Sequence, residues 1–531
     1  MNGTRMNAKQ TPGIINRILL ALYCAFVITA EFVIRDFFPY RYLLILTPVL
    51  FAVFFLISPY VLALVSKINI DSCNGENKKA GDPVWIRIAL YILPLAVLLI
   101  YYYAYYPGVF TFDSVRQYEQ AVQGQYNDWH PVMHTLFAFK LPLAVSGGWT
   151  GSIVLFQICC FSAVSGYAFN TVYKYAGPGF TVAVMAFLLL NPVTGHNSVF
   201  PWKDMSFAIG TLLLTAYALR IYFSKGGWMR SPENTAAFIL ATVLTTLFRH
   251  NAILFTGPLV IAAVLFLTKK RGAVICLSIL ILCLGVKVPV YSALGVKKAG
   301  SRKAESLGLP MTVIGAAVTY TPGSVDEETL RFAYKVAPKE VWEEKYVTGS
   351  YQQVKSDKRT NNEVIEEYGI RKVVSMMSGC FRRSPGVSLK ALIKLTEASY
   401  ILADEYNGAM KTSYEYPDTG NPRVQYVLRE YYNFTASCFP YLFMRLGVMH
   451  LLLIVSVLAK CRLNKRTDLK KILFILPVFI YNFGTGFFLT CNEDAARFFF
   501  YTFMLTPLLL LFILARDDRT SHAGGSLSPI D

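Results

Sequence analysis

The sequence predicts an all-α polytopic membrane protein of about 12 transmembrane helices, carrying an extracytoplasmic, mainly helical domain. Three observations predict it. Hydrophobic residues make up 54% of the 531 and charged residues only 16%, where a soluble chain carries about a quarter charged. Apolar runs near the ~20 residues that cross hydrocarbon recur along the chain. Lys and Arg gather in the short loops between alternate runs, the bias of cytoplasmic loops. Alternating polar and apolar strands of the outer-membrane barrel kind are absent.

The spans follow in order. Runs 14–34 and 42–65 form a two-helix extension within residues 1–83, and the first lacks the small-residue cleavage site of a signal peptide. A module over 84–291 comes next, with spans expected at 84–106, 152–172, 180–193, 205–223, 235–248, 252–267 and 273–291. Its long loop, 107–151, is the first chemically dense stretch of the chain. Residues 292–434 are polar and of domain size, with amphipathic helices expected over 325–346 and 388–404. Three spans, 439–458, 472–489 and 498–514, and a short tail close the chain over 435–531. The runs 180–193 and 235–248 are short for a full crossing, as helices lining a protein cavity can be.

The net charge of +18 follows from the cationic loops and accompanies no nucleic-acid motif. The ten cysteines show no metal-binding spacing. Placing both termini in the cytoplasm puts Lys78, Lys174, Lys225, Lys269, Lys270, Arg271, Lys465 and Lys470 inside. The expected location is the cell (plasma) membrane. The loops left outside are 107–151, 196–204, 249–251, 292–433 and 491–497, and they hold nearly every side chain able to do chemistry.

Asp113 and Ser114 follow the third span, and one of them is expected to cap the helix VRQYEQAVQ, with Ser114 and Gln117 as a capping box. The Asp113 carboxylate is also the candidate general base. Arg116 lies a turn further on. Asp128 precedes His130 and His134, a His-x3-His pair on one helix face that fits phosphate or acceptor contacts better than zinc for want of a third ligand. Asp128 itself is expected as a cap. Lys203 and Asp204 begin a span, the first suited to an anionic headgroup and the second to an N-cap. Arg249 and His250 sit between two spans with almost no loop, where charge is costly and reads as functional. Glu305 opens ESLGLPMTVI, a run expected along the membrane surface or packed in the outer domain. Arg497 follows Glu493 and Asp494, which offer it a local ion pair. A partner across the cavity is the alternative.

The motifs FDSVRQY, NDWHPVMHT, ESLGLPMTVI and NEDAARFFFY resemble an uncharacterised family of bacterial polytopic membrane proteins. The order of spans resembles the GT-C superfamily of membrane glycosyltransferases, which share a seven-helix module and use polyprenyl-phosphate sugars. Residues 84–291 match that module. The resemblance implies an inverting transfer of a sugar from a polyprenyl-phosphate donor to an extracytoplasmic glycan, lipid or protein acceptor. It implies Asp113 as base, Asp204 as the acidic residue of the next outer loop and Arg497 as the late-helix contact to the lipid phosphate. Two spans precede the module here and no paired-acid motif follows Asp113, so the resemblance leaves a divalent cation (Mg2+ or Mn2+) as an open cofactor. A transporter or flippase for a lipid-linked or anionic substrate is the competing class, although its groups would sit near the midplane, often between repeats, and no repeat is present.

Overall fold

A computed structural model describes residues 13–36, 42–70, 84–299, 306–402, 420–461, 466–486, 488–490 and 494–515. Among them the regular structure is helical throughout, with isolated β-bridges only. The helices are α1 Ile14–Ile34, α2 Leu43–Lys67, α3 Val84–Ala104, α4 Phe112–Gln123, α5 Val132–Val145, α6 Gly151–Leu189, α7 Pro192–Asn197, α8 Lys203–Phe223, α9 Pro232–Leu247, α10 Ile253–Val264 and α11 Lys269–Ala293. They continue as α12 Gly308–Tyr320, α13 Glu327–Val336, α14 Lys339–Lys345, α15 Glu363–Arg383, α16 Pro385–Thr396, α17 Pro422–Cys438, α18 Leu446–Lys460, α19 Arg466–Gly486, α20 Asp494–Phe499 and α21 Tyr501–Leu514.

Eight helices among the described residues are long and apolar enough to cross a membrane, which is compatible with a multi-pass membrane protein. Helices α10 and α18, expected as full crossings, are shorter apolar helices of 12 and 15 residues. The 39-residue α6 holds two expected spans. As one rod it would carry Gln157 and Leu189 about 48 Å apart, at 1.5 Å per residue. Yet Gln157 Nε2 donates to the carbonyls of Ser198 (2.8 Å) and Phe200 (2.9 Å), and the nine residues from Leu189 to Ser198 reach only ~32 Å. The chain therefore turns back at Gly177, whose φ 74° and ψ −178° lie in a region essentially reserved for glycine.

The packing separates an inside from a lipid-like outside. Helices α8 and α21 form the centre, with Phe207, Leu212, Leu505 and Phe512 buried. Helix α11 presents Leu277, Ile281, Leu284 and Val288 outward, each more than half exposed, an arrangement suited to hydrocarbon rather than water. Residues 306–402 build a helical unit around α12, whose Met311, Val313, Ile314, Ala316 and Ala317 have no exposure at all, enclosed by α13, α14, α15 and α16 and continuous with the core around α8 and α21. The ESLGLPMTVI run thus does not lie along a surface. From Gly308 onward it is the core of this unit, because it lacks the polar face that a surface helix needs.

Candidate functional site

Helices α4 and α8 begin side by side. The indole Nε1 of Trp202, the residue before α8, donates to Thr111 Oγ1 (2.8 Å), the residue before α4. Val109 N also bonds Val199 O (2.9 Å). Each helix carries one carboxylate in its first turn, Asp113 in α4 and Asp204 in α8. Two helix N-termini therefore point their positive ends and free N–H groups at one place.

Neither carboxylate caps its helix. Thr111 and Trp202 hold the cap positions without side-chain cap bonds. Ser114 is fully buried in the first turn, and Gln117 Oε1 instead meets His134 Nδ1 (2.7 Å) and accepts from Thr135 Oγ1 (3.2 Å). The capping box fails because α4 starts at Phe112, three residues earlier than the polar pattern suggests. Both acids are left to face cations.

Arg497, on α20, supplies one. Its Nη1 donates to Asp113 Oδ2 (3.2 Å), and its Nε lies 3.5 Å from Asp204 Oδ2. Arg249, only 5% exposed between α9 and α10, forms an ion pair with the 2% exposed Asp204. Its Nε donates to Asn251 Oδ1 (2.8 Å), and Asn251 Nδ2 donates to Thr485 Oγ1 (2.8 Å). The ring of Phe498 stands 4.3 Å from the Arg249 guanidinium carbon and 5.0 Å from that of Arg497, so it backs both cations. Arg497 pairs across the site rather than locally.

His130 and Lys203 complete the cluster. Lys203 Nζ lies 3.1 Å from His130 Nδ1. Lysine has only donors, so that ring nitrogen accepts and the neutral imidazole carries its proton on Nε2, which lies 3.8 Å from Asp113 Oδ1. Burial and then the Lys203 charge push the His130 pKa down to about 3. Burial raises the Asp113 carboxyl, but Lys203 and Arg497 together outweigh it and hold it at about 2. Asp113 is therefore ionised and His130 neutral at physiological pH. Asp113 remains 26% exposed while the side chains around it are nearly closed off.

The other expected site residues lie elsewhere. His134 is buried a turn away, with Nε2 at 3.0 Å from Ser206 Oγ, so the two histidines serve different partners rather than one metal. No group of three or more His, Cys, Asp or Glu able to hold a metal is present among the described residues. Asp128 is not a cap: its Oδ1 accepts from Ala299 N (2.7 Å) and its N–H donates to Lys297 O (3.0 Å), tying 297–299 to the end of the α4 loop. Arg116 is exposed, its guanidinium over the Phe112 ring at 4.4 Å. His250 is exposed beside the buried Arg249. Glu305 and Glu493 lie outside the described residues, as does the side chain of Asp494. Sequence reasoning missed Trp202, Phe498 and Ser206, and gave Gln117 a capping role in place of its contact with His134. Trp202 and Phe498 flank Lys203 and Arg497 in sequence, and that adjacency is the one signal that could have found them.

Residues 149–375 match a family described as "Family of unknown function (DUF6020)". The matched stretch carries Lys203, Asp204 and Arg249 but stops short of Asp113, His130 and Arg497 on either side. No curated protein and no solved structure matches the chain.

Proposed function

We propose that the chain is an integral membrane glycosyltransferase of the GT-C kind, moving a sugar from a polyprenyl-phosphate donor to an extracytoplasmic acceptor with inversion. The observation that carries it is a partly open carboxylate, Asp113, set against Arg497 and Lys203 at the joint N-terminal ends of α4 and α8. Three cations (Lys203, Arg249, Arg497) against two carboxylates (Asp113, Asp204) leave this cluster of five with one positive charge. A phosphodiester brings one negative charge, and helix N-termini suit it.

The acceptor hydroxyl forms its bond to the anomeric carbon as the bond from that carbon to the phosphate oxygen breaks. The hydroxyl proton passes to Asp113, and the bonding pair leaves with the phosphate. Charge grows on the leaving phosphate, where Arg497 and Lys203 are already placed for it. A carboxylate held at about 2 is a weak base, and proton transfer is most effective near the working pH. The donor phosphate supplies the correction: drawing Arg497 and Lys203 to itself, it releases Asp113 from the charges that hold its pKa down. Arg249 stays with Asp204 and keeps the wall of the site rigid. In this reading the cluster lies at the extracytoplasmic face of the plasma membrane, the termini are cytoplasmic, and the lipid tail lies between helices.

Purified protein in liposomes, given radiolabelled polyprenyl-phosphate sugar, separates this from the carrier class. Labelled sugar transferred off the lipid supports the transferase. Label moved across the bilayer with its lipid bond intact overturns it.

A further inference from the structure

Beside α4 runs a groove of about 390 Å³, at the lower end of the ~300–1,000 Å³ of small-molecule sites. Its floor is the helix itself, through Arg116, Gln120 and Gln123, and its far wall is the 294–297 turn. That wall is held in place by a parallel bridge: Lys297 N donates to Tyr126 O and Asp128 N to Lys297 O, both at 3.0 Å.

The lining has a definite chemistry. The residues lining the groove carry four side-chain amides (Gln120, Gln123, Gln125 and Asn127), one carboxylate (Glu119) and two cations (Arg116 and Lys297). Gln120 Oε1 and Asn127 Oδ1 already accept from Asn127 N (3.3 Å) and Trp129 N (3.1 Å), so the exposed Gln123 and Gln125 are the amides open to a ligand. Amides both donate and accept, as hydroxyls do. A simple anion wants donors alone and would meet Glu119. A cation wants acceptors alone and would meet Arg116 and Lys297. Leu294 is the only aliphatic side chain among the lining residues, so the apolar pockets that select peptide side chains are missing.

Position links the groove to the site. Asp113, Arg116, Gln120 and Gln123 follow one another at helical spacing along one stripe of α4, spanning about 15 Å at 1.5 Å per residue. We infer that this groove is the acceptor subsite and that it binds a neutral, hydroxyl-rich oligosaccharide laid along α4, its terminal hydroxyl at Asp113. The inference rests on the transferase reading for what happens at Asp113, and on the groove's own chemistry for what is bound.

The full-length protein in detergent, fluorescently labelled, is applied to an array of immobilised neutral oligosaccharides and, in parallel, to an array of short peptides. Retention on a subset of the oligosaccharides is expected. At least a tenfold loss is expected for the exposed-pair variant Gln123→Ala/Gln125→Ala and for Glu119→Ala, with none for the exposed control Arg331→Ala on α13. No retained oligosaccharide, equal retention by both groove variants, or preference for peptides overturns the inference. Unchanged glycan binding by the groove variants, with turnover lost in Asp113→Asn, removes the subsite and leaves the transferase. Groove-dependent glycan binding by a protein that turns over no lipid-linked sugar does the reverse.

Discussion

Arg497 donates to Asp113 at 3.2 Å from 384 positions further along the chain, and the same guanidinium reaches Asp204 at 3.5 Å. One planar cation thus joins the starts of α4 and α8 to α20. Lysine cannot copy this, since a single ammonium lacks the fork that meets two acids at once.

Arg497→Ala is expected to lower turnover of a lipid-linked sugar by about 10²–10³, the usual cost of removing one donor from developing charge. Arg497→Lys should recover only part of it. Steady-state turnover by the two purified variants checks the order.

Arg249 and Asp204 are a buried pair, 5% and 2% exposed. Asp204→Asn should destabilise by about 3–5 kcal/mol, because it strands a buried guanidinium. Arg249→Met combined with Asp204→Leu should restore much of the melting temperature while leaving the protein inactive. Thermal unfolding in detergent measures both.

Acid should weaken the fold from pH 6.5 downward. His130 binds its proton only near pH 3 when folded but near 6.5 when unfolded. Between those values the unfolded state holds more protons, so stability rises with pH and is lost as pH falls. Asp113, depressed from 3.8 to about 2, adds a loss of the same sign between those two values. His130→Gln should flatten the melting curve against pH between 6.5 and 4, and an unchanged slope would assign the acid sensitivity to other groups.

Gly177 carries the reversal of α6 at φ 74° and ψ −178°, and no atom stands within 4 Å of where a Cβ would lie. Gly177→Ala should therefore cost about 1–3 kcal/mol through backbone strain alone. Gly179→Ala, equally open and without positive φ, is the control. A melting temperature equal for both would refute the tight turn.

Much of this was legible in the sequence. Apolar runs located the long helices, and Ile14–Ile34 matches its run residue for residue. The loops expected on one side hold the acids and cations that meet, since charge excluded from hydrocarbon has few other places to go. What was hidden depends on distant partners. Nothing near Asp128 announces Ala299, 171 positions away, and nothing near His134 announces Ser206. Cap positions were misread because they turn on two or three residues of helix start, which Asp113 and Ser114 blur by both being good caps. For ESLGLPMTVI the sequence left a surface position and packing in the outer domain both open, because an apolar run reads alike whether it faces lipid or a protein core.

The most direct measurement is turnover of radiolabelled polyprenyl-phosphate sugar by purified Asp113→Asn. Asparagine keeps the shape and a contact to Arg497 but accepts no proton as a base. Transfer should vanish while the protein stays folded and still binds donor. Transfer at the wild-type rate would contradict the account.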